Sequence, residues 1–495
     1  MTAEAKDCDD KAFSALQTNA VRLGVVLVVI AFLVRGAVCW RNLEQFSADP
    51  DAYRAIAETL GVTGVFGLTA ASGETIATAF RPPLYPTVLA WFLDDQQLPN
   101  AAVASLHTAL GMLAVLFTYL AGLSMLPKNT GLWGPSLAAV LVMVDPLLLK
   151  QSTVLMTETL AATLVCMVIW WWSTYRNRIH DLMFGLGLGG LLSLAFLARP
   201  TFIVWAVLLV LSVFVLEVRG LVTASKIGAS KIGASKIGAS KKNKVRRRVV
   251  PLVVFSAGLS AVLVVVVGGW TWRNTRAVGY PVWATTHGGY TLLLGNNPSF
   301  YDFLRSGSDD GLWDSAPFQI AYSHRYDGDP RSEGFWQQKW NDPREIQDQS
   351  VVAVVTEHSD DLLAYDSAKA VIQRQPEMFL WAAAVRLCRL WSPFPNPLGG
   401  RSSTLLMLTG LYCCCLYIAM LIGCFRLGRC LLTSRWLPVL TLFVTLNAVH
   451  AFYWSNIRMR APAIPAIALL AAVAIPPLRN RATALDEDEP GGLCG

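Results

Sequence analysis

The chain has 495 residues, of which 54% are hydrophobic and only 15% charged, with a formal net charge of +7. Soluble proteins carry about 25% charged residues; here the deficit falls in long apolar blocks, which excludes a soluble globular domain and predicts an all-α polytopic membrane protein. The positive charge does not indicate nucleic acid, because its densest run, Lys236 to Arg248, lies between two apolar blocks with no recognition module beside it.

In chain order, residues 1–22 read as a cytoplasmic tail. Apolar blocks follow at 23–40, 101–126, 131–149, 154–173, 183–198, 201–218, 249–270, 404–425, 436–454 and 461–478, which predicts about ten transmembrane helices. The first block is interrupted by Arg35 and ends without a small-x-small cleavage site, so it reads as an uncleaved anchor. A first outer loop, 41–100, carrying interfacial helices, interrupts a membrane core that runs over 23–218. The Gly-rich block 183–198 (Gly185, Gly187, Gly189, Gly190) predicts close helix packing rather than lipid contact. Residues 219–248 carry ten Lys/Arg and an Ala-Ser-Lys-Ile-Gly repeat over 224–238, and are expected to be a basic, disordered tether against anionic lipid. After the 249–270 helix comes a larger mixed outer region, 271–403. Within it 299–345 is predicted irregular and 346–392 helical, from the spacing of Val351, Val352, Val355, Leu362, Leu363, Val371, Ile372, Leu380 and Val385. C-terminal membrane helices fall within 404–478, and 479–495 forms a second cytoplasmic tail. Alternating sides from a cytoplasmic N-terminus places Arg176, Arg178, the 219–248 loop, Arg426, Arg429, Arg435, Arg479 and Arg481 inside, as the positive-inside rule requires.

Under that topology six arginines (Arg81, Arg199, Arg273, Arg276, Arg458 and Arg460) gather on the outer side, at helix ends or beside proline. Singly each can snorkel or pair with a carboxylate; clustered at one membrane face they form what a phosphate or pyrophosphate headgroup requires. Glu158 lies in the outer part of the fourth apolar block. A carboxylate at a helix centre costs about 2.5–3.5 kcal/mol even on the lenient insertion scale, so it should face inward and meet a cation, as a helix-joining ion pair or as the group orienting a functional arginine. Asp145 and Lys150 belong to the same polar shelf. Trp270 to Asn274, His287-Gly288-Gly289-Tyr290 and Leu294-Gly295-Asn296-Asn297-Pro298 combine turn chemistry with side chains suited to stacking on a sugar and bonding its hydroxyls. The ten cysteines fall mostly in apolar blocks (Cys166, Cys413, Cys414, Cys415, Cys424) as small hydrophobes. No Cys or His spacing suits a metal, so neither metal nor cofactor is expected.

Asp49-Pro50-Asp51-Ala52-Tyr53 and Ala79 to Pro86, with Met156-Thr157-Glu158, Leu197-Ala198-Arg199-Pro200, Trp272 to Pro298 and Arg458 to Pro465, resemble in that order the GT-C class of membrane glycosyltransferases. The closer resemblance is to the bacterial branch related to protein O-mannosyltransferases and lipid A aminoarabinose transferases. The resemblance implies a GT-C-like fold in a bacterial inner membrane, with an outward-facing site. It further implies inverting, metal-independent transfer of a sugar from a polyprenyl-phosphate donor to a hydroxyl or phosphate on a lipid, glycan or protein acceptor. The family's acidic motif, often Asp-Glu-x-x-Tyr, supplies the catalytic base from its leading Asp. Here that position is Asp49 and the tyrosine Tyr53, but Pro50 replaces the usual Glu and a second carboxylate stands at Asp51, so the base is either Asp, with Asp49 preferred. The substrate-binding set implied is Tyr53, Arg81, Tyr85, Glu158, Arg199, Arg273, His287, Tyr290, Asn296, Asn297, Arg458 and Arg460.

Other readings compete. A transporter or flippase for a lipid-linked anion would also use intramembrane Arg and Glu, but predicts internal symmetry and a midplane site, and no symmetry between the halves is visible. An O-antigen ligase or polymerase would keep its key Arg and His in a late outer loop, against which the acidic first loop argues. An inactive member of the family remains the third.

Overall fold

A computed structural model describes residues 3–70, 72–176, 181–231, 237–307, 312–342, 356–396 and 402–475. Among the described residues, each of the ten apolar blocks lies mostly on helix. In chain order the helices are α1 (Ala3–Arg41), α2 (Tyr53–Thr63), α3 (Leu84–Ala90), α4 (Asn100–Met125), α5 (Trp133–Val144), α6 (Pro146–Gln151), α7 (Glu158–Tyr175), α8 (Leu182–Ala198), α9 (Phe202–Lys231) and α10 (Ile237–Ala277). They continue as α11 (Gly288–Gly295), α12 (Pro298–Ser306), α13 (Ala316–Ser323), α14 (Glu333–Gln337), α15 (Glu357–Arg374), α16 (Pro376–Trp391), α17 (Ser403–Leu427), α18 (Leu437–His450) and α19 (Ile464–Ala472). Among the described residues, four segments are long and apolar enough to cross a membrane: Gln17–Arg41, Asn100–Met125, Leu252–Ala277 and Ser403–Leu432. Their outer faces stay apolar and uncovered, with Leu33 61%, Val265 71% and Phe425 89% exposed, so the chain is an integral membrane protein whose solvent there is hydrocarbon.

α4 sits centrally, packed by α1, α5 and α7. Buried Arg35 pins α1 to this core by donating to Val142 O (2.6 Å) and Ser152 Oγ (3.0 Å), which gives a carrier of charge inside an apolar helix its partners. The glycines of α8 do what the sequence predicts. A Cβ at Gly185 would lie 2.5 Å from Phe255 O, and one at Gly189 2.9 Å from Leu259 O, so α8 and α10 touch backbone to backbone.

Between its helices α2 and α3 the stretch 41–100 adds a small antiparallel hairpin, Gly67–Thr69 (β1) and Thr75–Ala77 (β2). Two sequence expectations change. The stretch 299–345, expected to be irregular, carries α12, α13 and α14, each begun by a capping side chain or a Pro in its first turn. In the repeat, the backbone is helical to Lys231 and again from Ile237, where a disordered tether was expected. Of the predicted helical stretch, 346–355, with Val351, Val352 and Val355, lies outside the described residues; α15 and α16 occupy nearly all of 356–392.

Residues 42–99 and the segment after α10 meet at one end of the bundle and brace each other. Arg273 donates to Phe66 O (2.6 Å) and Thr78 O (2.7 Å), and Thr286 N to Ala79 O (3.0 Å). Glu357, at the start of α15, accepts from Ala79 N (3.1 Å), Thr286 Oγ1 (2.8 Å) and Thr78 Oγ1. Because this clamp fixes the backbone just ahead of Phe80-Arg81, it sets where Arg81 emerges.

Candidate active site

Between that clamp and the ends of α7, α8 and α18 lies a cavity of about 510 Å³. One end is ionic. Chain irregularity between α6 and α7 leaves Glu158 in the first turn of α7, 1% exposed, where the helix N-terminus favours a carboxylate. Its Oε1 meets Arg199 Nη2 at 2.8 Å and Arg458 Nε at 3.1 Å. Arg199 stands at the C-terminus of α8, held also to Thr157 Oγ1 (3.2 Å), and Arg458 in the 3-10 turn ahead of α19. One carboxylate therefore aligns two guanidiniums toward the cavity.

The side wall carries Asp51 and Arg81. Arg81 clasps Asp51 twice, through Nη2 to Oδ1 (2.7 Å) and Nε to the backbone O (2.8 Å), while its guanidinium lies 4.3 Å from the Phe80 ring centroid. Asp51 is turned this way by Ala52, whose φ of +59° puts a non-glycine residue in the left-handed region. Tyr53 follows at once, its phenol pushed up to about 12 by burial and so protonated. Three cations (Arg81, Arg199, Arg458) thus face two carboxylates (Asp51, Glu158), leaving one positive charge in excess for an anion.

Beside Arg81 the lining turns aromatic. His287 stacks on Tyr290 (centroids 5.1 Å apart, 28°) and meets the edge of Phe80 (4.8 Å, 74°). Burial, reinforced by the Arg81 charge, pulls His287 down to about 3, so it stands there as a neutral ring. Trp283, Tyr365, Tyr453 and Trp454 complete this part, and Phe202, Val204, Leu446 and Val449 make the flank beside the membrane helices apolar.

The cavity unites Asp51, Tyr53, Arg81, Glu158, Arg199, His287, Tyr290 and Arg458 of the sequence-predicted set. It does not unite the others. Asp49 accepts from Ala55 N (3.0 Å) at the start of α2. Tyr85 packs behind Tyr53 and donates to His107 Nε2 (2.7 Å), since His107 Nδ1 donates to Ser152 O (3.0 Å). Arg273 belongs to the loop clamp. Asn296 donates to Leu292 O and Phe452 O, and Asn297 caps α12 through Phe300 N (2.9 Å). Arg460, fully buried, donates to Leu390 O (3.2 Å) and Ser392 O and joins the end of α16 to the turn before α19. The His287-Gly288-Gly289 stretch, read as a turn, starts α11 instead. Lining residues missed from the sequence are Phe80, Thr157, Trp283, Tyr365, His450 and Tyr453. His450 carried a signal, a histidine inside an apolar block; Tyr365, on the polar helix α15, carried none. No cluster of three or more His, Cys, Asp or Glu able to hold a metal occurs among the described residues.

No protein-family model matches the chain, and no curated protein sequence matches it. Among solved structures it is similar to the oligosaccharyltransferase AglB from Archaeoglobus fulgidus in complex with an inhibitory peptide and a dolichol-phosphate. That match has a TM-score of 0.45 and 15% identity over 91% of this chain and 50% of that one. It is also similar to ArnT from Cupriavidus metallidurans bound to undecaprenyl phosphate, with TM-score 0.34 and 13% identity over 91% of this chain and 77% of that one. Both are GT-C glycosyltransferases, the class the sequence motifs resemble. The chain spans about half the length of the archaeal oligosaccharyltransferase. At these scores the likeness is coarse, and the functional case rests on the cavity.

Proposed function

We propose that the protein is a membrane glycosyltransferase that moves a sugar from a polyprenyl-phosphate donor to an acceptor hydroxyl, on the outward face of the membrane. The observation that carries this reading is the convergence of Asp51, Arg81, Glu158, Arg199 and Arg458 on one cavity, with a surplus positive charge and stacked rings in the same lining. In the proposed complex the donor phosphate lies against Arg199 and Arg458, the sugar against His287 and Tyr290, and the lipid leaves past the apolar flank. The arginines stabilise the phosphate charge that grows as the glycosidic bond breaks, so a strong general acid is not required. Asp51, the carboxylate of the first loop that lines the cavity, takes the proton of the attacking hydroxyl on its second oxygen, Arg81 holding the first, and attack opposite the leaving phosphate inverts the anomeric carbon. Asp49 holds the helix that presents Asp51. No metal or cofactor enters this scheme. A carrier for the same lipid would need a path through the bundle, whereas the polar set here gathers at one end.

The test is transfer from labelled polyprenyl-phosphate sugars by the full-length protein in membrane vesicles. Asp51→Asn should reduce turnover at least a thousandfold with normal expression, and Asp49→Asn should retain transfer while lowering yield or melting temperature. Full activity in Asp51→Asn would remove the base from this scheme, and loss confined to Asp49→Asn would move the base there.

A further inference from the structure

We propose that the aromatic end of the cavity accepts an uncharged pyranose and that the paired phenols of Tyr365 and Tyr453 read its hydroxyls. This rests on the glycosyl-transfer reading and narrows its substrate class.

Two observations lead here. The first is the state of the carboxylates. Asp51 and Glu158, the acids lining the cavity, are each already held by arginine, at 2.7 Å and at 2.8 and 3.1 Å. The acids behind the aromatic wall are engaged too. Glu357 accepts from Ala79 N and Thr286, Asp361 from Gly289 N (2.6 Å), and Asp360 from Arg325 (2.5 Å) and Tyr326 (2.6 Å). A sugar ammonium would enter a cavity with excess positive charge, whose two lining carboxylates are each already paired with arginine through one oxygen. A sugar carboxylate would have to draw Arg81 away from Asp51 or compete with the donor phosphate for Arg199 and Arg458. Either charge is therefore selected against.

The second is the phenol pair. Tyr365 Oη, from α15, and Tyr453 Oη, just past α18, stand 3.4 Å apart at the cavity wall. That contact is long, and each oxygen can both donate and accept, so both keep capacity for a hydroxyl-bearing ligand. Burial raises the Tyr365 phenol far above its ordinary range, with its contact to Tyr453 adding, so it remains a donor. Gly288 makes room for it: a Cβ there would lie 2.1 Å from Tyr365 Oη. The Gly288-Gly289 pair thus lets the tyrosine reach the sugar end.

The experiment compares donors sharing one polyprenyl phosphate and differing in the sugar (glucose, mannose and galactose against a 4-amino pentose and a glucuronate) with the full chain in vesicles. A neutral hexose should exceed both charged donors at least tenfold in kcat/KM. Tyr365→Phe and Tyr453→Phe, which keep the ring and its packing, should each raise KM for that hexose about three- to tenfold with kcat little changed. Gly288→Ala, which displaces Tyr365, should match Tyr365→Phe. Preference for the amino or uronic donor overturns the proposal and leaves glycosyl transfer standing. An unchanged KM in both phenol variants removes the tyrosines from recognition. Turnover of no donor sinks both this proposal and the transfer reading.

Discussion

Glu158 occupies a position where a single carboxylate must serve two arginines and a membrane helix at once. Its Oε1 takes both guanidiniums, and at 1% exposure it has no water to replace them. Removing its charge leaves Arg199 and Arg458 to repel each other at the cavity floor, although both retain a route to solvent. Glu158→Gln is therefore expected to lower kcat/KM for transfer about a hundredfold, on the scale of losing one oriented transition-state donor, while the protein still inserts and purifies. Unchanged kinetics in that variant would reduce the ion pairs to a purely structural bond between helices. At this scale the sequence was informative wherever a charge had no business being apolar, as with Glu158, Arg199 and Arg458. It was misleading where a polar residue had local backbone work, as with Asn296, Asn297 and Asp49, because capping and active-site roles use the same side chains.

The element that aims the site is the entry to α2. Asp49 accepts from Ala55 N, and Ala52 at φ +59° reverses the chain so that Asp51 points into the cavity. Left-handed backbone in a residue other than glycine costs about 1–3 kcal/mol, borne here by the clasp of Arg81 and the burial of Tyr53. Ala52→Gly relieves that strain at some entropic cost and should change stability by less than about 1 kcal/mol. Ala52→Val places a branched Cβ in the same conformation and should destabilise by about 1–3 kcal/mol and abolish transfer together. Thermal unfolding in detergent beside an activity assay decides this, and a Val variant with native activity would refute the strained-turn account. Helices long enough to cross the membrane were legible from hydrophobic runs alone. The hairpin after α2 was not, since three-residue strands show no usable alternation. Nor were the short helices of 299–345, which are set by caps and by packing of their aromatic residues rather than by a sustained apolar period.

Across the whole molecule, the two loop regions form one structure, joined by Glu357 on Thr78 and Ala79, while Asp361 on Gly289 holds the second region together. Burial pushes Asp361 up to about 6, against the hydrogen bond from Gly289, with the Asp360 charge adding to the rise. A carboxyl with a folded value above its unfolded one binds protons on folding. Its contribution to stability is complete below about pH 4 and is lost as pH rises through about 6. Asp361→Asn keeps an acceptor for Gly289 without that dependence. Its melting temperature should therefore gain on the wild type between pH 4 and 7, and a difference that stays flat over that range would contradict the assignment. No sequence pattern announces such a contact, because Asp361 and Gly289 meet only after three helices have packed between them in the chain.

The pairing of Glu158 with Arg458 also has a consequence in time. Its second cation arrives 300 residues downstream, in the turn that precedes the last described helix. A ribosome-bound chain has Arg199 soon after Glu158, but this carboxylate gains its second guanidinium only once residue 458 has been made, so the ion cluster cannot be complete before the helices between them have been threaded.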